Sequence, residues 1–133
     1  MYDKRGLEVK RSRQPARSGT LLHFAYSTIS DSHCPFHFDA LAKYEIDHVS
    51  VTASAYGAML YNADMGPNTI SNSNFQNSGA HDLEQTAPNS LLKLDNVFLG
   101  SNNSTYAGGK AIPGANISIK NKPVAPVANA KPR

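Results

Sequence analysis

The sequence predicts an all-β fold, wound as a parallel solenoid of about four to five short coils with a period near 24 residues. Three observations carry this reading. Ile46-Asp47-His48-Val49-Ser50-Val51, Ile70-Ser71-Asn72-Ser73-Asn74-Phe75 and Leu94-Asp95-Asn96-Val97-Phe98-Leu99 succeed one another at intervals of 24 residues. The apolar residues between turn signals alternate, as they do in strands with one buried face. No segment sustains a helical period, which excludes helix-containing repeats of the ankyrin or leucine-rich kind.

Aligned copies form columns. Ile29, Ile46, Ile70 and Leu94 are large and aliphatic. Two residues on, Asp31, His48, Asn72 and Asn96 all hydrogen-bond. Five residues on, Cys34, Val51, Phe75 and Leu99 are apolar. Parallel stacking turns the first and third columns into core and the second into a polar ladder. The competing architecture is an antiparallel sandwich with coincidental spacing.

Residues 1–18 show no periodicity and read as a basic flexible arm or cap. The solenoid spans 19–122. Leu22, Phe24, Tyr26 and Ile29 mark its first strand, Cys34–Phe38 a second, Tyr44–Thr52 a third and Gly57–Tyr61 a fourth. Gly66-Pro67 punctuates the chain before Thr69–Gly79. Leu91–Leu99 and Ala115–Lys120 read as further strands, with Ser101–Gly114 as loop. His81–Gln85 and Phe38–Tyr44 are the best places for a short helical turn. Residues 123–133, PVAPVANAKPR, read as a Pro/Ala-rich linker.

The net charge of +3 is unevenly spread: +4 over residues 1–17, −6 over 18–109 and +5 over 110–133. An acidic body between basic ends argues against a specific nucleic-acid-binding face. No apolar run reaches the roughly 20 residues of a membrane span, so no membrane insertion is expected. The N-terminus lacks the apolar core of a signal peptide. A single cysteine, Cys34, excludes an internal disulfide and a multi-cysteine zinc site. Its neighbours His33 and His37 make a metal conceivable, but a core position suits it better.

The pattern Ile70-x-Asn72-Ser73-x-Phe75-x-Asn77-x-Gly79 resembles the coil repeat of right-handed parallel β-helix proteins, the pectin-lyase-like superfamily. The tail APVANAKPR resembles the linker that opens PKD-type domains, with lysine in place of a glycine. The two resemblances imply a fragment of a longer, multidomain, extracellular or cell-surface protein. They also bring in alternatives: a piece of a polysaccharide lyase or glycoside hydrolase, or of a trimeric phage tailspike.

Hydrolases of that superfamily use paired carboxylates. Asp47 and Asp95 share a column with Ser71 between them and form one candidate pair. Asp39 and Asp64 form another, for acid/base work or calcium, the one cofactor considered. The duller reading makes all four solubilising. Residues 18–109 contain no arginine and only two lysines, Lys43 and Lys93, which weighs against a polyuronate lyase. Tyr26, Tyr44, Tyr56 and Tyr61 are candidates for stacking on sugar rings. The expected function is therefore a non-catalytic module, glycan-binding or structural, whose partner is a polysaccharide or surface glycan.

Overall fold

The computed structural model describes residues 7–9, 21–38, 43–60, 68–85, 91–100, 106–107, 110–111 and 117–128. Within them the chain is all strand. The elements are β1 (Leu7–Val9), β2 (Leu22–Ser30), β3 (Phe36–Phe38), β4 (Tyr44–Thr52), β5 (Ala58–Leu60), β6 (Asn68–Gln76), β7 (Glu84–Gln85), β8 (Leu92–Leu99), β9 (Tyr106–Ala107), β10 (Lys110–Ala111) and β11 (Ile117–Lys120). No helix among the described residues is long and apolar enough to cross a membrane.

Long and short strands sort into different sheets. One sheet runs β11-β8-β6-β4-β2 and the other β1-β3-β5-β7. Every neighbour in both is parallel, and only the small β9–β10 ribbon is antiparallel. From β2 to β8 the chain therefore passes from one sheet to the other and back. Between the sheets lies a core of Phe36, Phe38, Ile46, Val49, Val51, Leu60, Ile70, Phe75, Leu83 and Leu92, with Phe36 and Phe75 meeting edge to face at 6.3 Å.

The register repeats faithfully. Phe24, Ile46, Ile70, Leu94 and Ile119 form one inward row. Ile29, Val51, Phe75 and Leu99 form the next. The expected rows were therefore out of step in the first coil: Phe24 stands beside Ile46, and Ile29 takes the place given to Cys34. Cys34 lies beyond, buried, with its thiol donating to the Phe36 carbonyl at 3.2 Å.

The cause is a feature that occurs twice along each of β2, β4 and β6, once within the strand and once just past its end. Tyr26, His48, Asn72, Asn96 and Asn121 have positive φ, and so do Asp31, Ala53 and Asn77. Each of these left-handed residues follows an apolar one at a distance of two, so the two bends look alike in sequence. Asp31 belongs with Ala53 and Asn77, not with His48. The left-handed conformation costs an ordinary L-residue roughly 1–2 kcal/mol and costs asparagine less, which explains the asparagines.

One other expectation changes. Glu84–Gln85 is a strand where a helical turn was expected, because Leu83 and Gln85 point inward and Glu84 outward with period two. Leu7–Val9, within the segment read as an arm or cap, pairs in register with Phe36–Phe38.

The bend between β4 and β6, and the entry to those strands, each leave a main-chain amide that a buried polar side chain serves. The Ser73 hydroxyl accepts from the Val49 amide at 3.1 Å and donates to the Ser71 carbonyl at 2.6 Å. Asn68 Oδ1 accepts from the Tyr44 amide at 2.8 Å. Buried polar groups are thus matched to backbone groups that lost a partner.

Candidate functional site

The densest polar cluster lies at the first bend. Outward residues Ala25, Asp47, Ser71, Asp95 and Lys120 form one column. The left-handed Tyr26, His48, Asn72, Asn96 and Asn121 run beside it. Asp47 Oδ1 accepts from Ser71 Oγ at 2.9 Å and from Asn72 Nδ2 at 3.0 Å. Asn72 Oδ1 accepts from Asn96 Nδ2 at 3.0 Å. Asp95 Oδ1 accepts from Asn121 Nδ2 at 2.9 Å. His48 Nδ1 stands 2.9 Å from Asp47 Oδ2, within ion-pair distance when the imidazole is protonated. The Tyr26 and His48 rings stack at 4.8 Å and 18°.

Desolvation pushes the Asp47 carboxyl up, but Asn72, His48 and Ser71 together outweigh it and hold it below the usual carboxylate value. A lowered folded-state pKa stabilises the fold above the unfolded value of about 3.9 and ceases to do so as pH falls through the folded value. The melting-temperature gap between the native chain and Asp47→Asn should therefore be present at about pH 5 and close as pH falls below about 4. Thermal melts across that range measure it; a gap that persists undiminished at about pH 3 would contradict the assignment.

Asn72 is the joint of this ladder. Asn72→Gly keeps the bend and removes the hydrogen bonds, whereas Asn72→Ala also strains the backbone. Glycine should cost about 1–2 kcal/mol for two side-chain bonds and alanine about 1 kcal/mol more. Urea unfolding of both variants separates the terms, and equal losses would mean that the bend carries no strain.

The other expected site residues are dispersed. Tyr44 is only 2% exposed, opening β4 inward against Phe38 at 4.6 Å, so it is not available to a sugar. Its period-two step to Ile46 is what turns it in. Tyr56 is half-buried between His33 at 5.8 Å and His81 at 6.3 Å. His81 Nε2 in turn lies 3.7 Å from Glu84. Asp39, Asp64 and Tyr61 lie outside the described residues. Among the described residues, no three His, Cys, Asp or Glu side chains converge as metal ligands.

The sequence reading missed Tyr26 and Asn121 as members of the ladder column with His48, Asn72 and Asn96. The apolar-x-bend spacing at Phe24 and Ile119 was the available signal. It also missed the His33–Tyr56–His81 row, whose members are 23 and 25 residues apart and are not all of one type.

No protein-family model matches the chain, and neither a curated protein nor a solved structure shows detectable similarity to it.

Proposed function

We propose that the chain is a right-handed parallel β-helix module of a secreted or surface protein, structural in its polar columns and glycan-binding at its half-exposed tyrosines. The observation that carries the structural part is the bend column, whose carboxylates and amides are engaged with one another. Asp47 serves Ser71, Asn72 and His48, and Asp95 serves Asn121. A carboxylate that accepts several donors is held ionised and in place, which suits a ladder better than proton transfer. Two aromatic–histidine sets, Tyr26 with His48 and Tyr56 with His33 and His81, favour the glycan part.

Retention on insoluble polysaccharides, with simultaneous measurement of released sugar, tests both parts. The native chain should be retained on at least one glycan without releasing product. Tyr56→Ala and Tyr26→Asn, the latter compatible with the bend, should each weaken retention about fivefold. Unchanged retention would remove the glycan part. Product release that disappears in Asp47→Asn would replace the proposal with the hydrolase alternative.

A further inference from the structure

Asn74 sits where a surface residue belongs. It points outward from β6 in the row Thr28, Ser50, Asn74, Phe98. Thr28 is exposed and Ser50 and Phe98 are half-buried, yet Asn74 is only 3% exposed. The C-terminal segment is what engages it. Asn74 Oδ1 accepts from the Val127 amide at 2.6 Å, and Nδ2 donates to the Val127 carbonyl at 3.1 Å. Nδ2 also donates to Ser50 Oγ at 3.0 Å, which fixes the amide's orientation.

This geometry reads main chain rather than side chain. In an extended residue the N–H and C=O point to the same side, and a carboxamide satisfies both as a neighbouring strand would. The preceding residue, Pro126, restricts the backbone and lowers the entropy lost on docking. Val127 and Pro123 are half-buried, whereas Val124 between them is 99% exposed, so the segment touches down at intervals. The acidic body and basic C-terminal region add a long-range attraction.

We infer that the Ser50–Asn74–Phe98 face is a receptor for the main chain of a proline-preceded peptide residue, and that the chain's own Pro123–Ala128 segment, through Val127, is its resident occupant. The segment expected to be a free linker is thus a strap. A peptide of the same chemistry supplied by another molecule fits the same clamp once the strap is released.

Two measurements on the full chain test this. In the native chain the Val127 amide should exchange about tenfold more slowly than a free peptide amide. Asn74→Ala should abolish that protection and leave β6 amides protected. Exchange of Val127 at the free rate in the native chain would overturn the strap. Val127→Pro removes the donor that Asn74 receives and vacates the clamp. A synthetic Pro123–Ala128 peptide at millimolar concentration should then shift the Asn74 side-chain amide resonances. Absence of that shift in a folded Val127→Pro chain would overturn the receptor, as would an equal effect on Ser50 and Phe98 in Val127→Pro/Asn74→Ala.

Discussion

Gly57→Ala should lower the melting temperature by about 10 °C, for a loss of roughly 3 kcal/mol. The backbone amide of Gly57 donates to the His81 carbonyl at 2.9 Å, which holds the two coils in contact at that corner. A Cβ added there would lie 2.2 Å from the Asp82 carbonyl oxygen and 3.0 Å from its carbon. Both are backbone atoms, so no rotamer change relieves the clash. The β5–β7 pairing, Met59 with Glu84 and Leu60 with Gln85, would have to part. Gly79→Ala is the control, since its Cβ would meet Ala55 at an ordinary 3.7 Å. Calorimetric melts of both variants decide the matter. A Gly57→Ala chain within about 2 °C of native would mean that the coils separate freely at this corner.

Phe75→Ala should cost about 3–5 kcal/mol. Phe75 is fully buried, paired with Val51 on one side and Leu99 on the other, and it meets Phe36 across the core. Alanine leaves a cavity bounded by the backbone of both sheets, which cannot easily collapse. Phe75→Leu retains most of the volume and should lose about 1 kcal/mol. Chemical denaturation with matched slopes gives both numbers. A loss below about 1 kcal/mol for alanine would show that the sheets close over the gap.

The middle of the stack was legible in the sequence because there one coil follows another at constant length. Ile46, Ile70 and Leu94, or His48, Asn72 and Asn96, can be superposed by counting. The first coil was not legible in the same way. The β2-to-β4 interval is 22 residues and the β8-to-β11 interval is 25, as Leu22 facing Tyr44 and Ile117 facing Leu92 show. With two similar bends along each of β2, β4 and β6, a shortened interval lets a sequence alignment settle on the wrong bend, as it did at Ile29 and Asp31. Tyr44 was misjudged for another reason: residue type suggested exposure, and only its phase relative to Ile46 reveals burial. The clamp at Asn74 had no signal at all, because its partner is a backbone group 53 residues away.

That separation has a consequence for how the molecule comes apart. Sheet contacts between successive long strands join residues 22 to 25 positions apart. Each added long strand therefore closes a loop of nearly the same size, at nearly the same entropic cost. Such a parallel sheet can grow or fray one strand at a time from either end. The Asn74–Val127 contact breaks this locality, because it ties the last described residues to a strand two layers inward, past β11 and β8. Fraying at the C-terminal end must release the clasp before the outer layers peel. The two ends of the molecule should accordingly unzip in unequal order, the β2 end first.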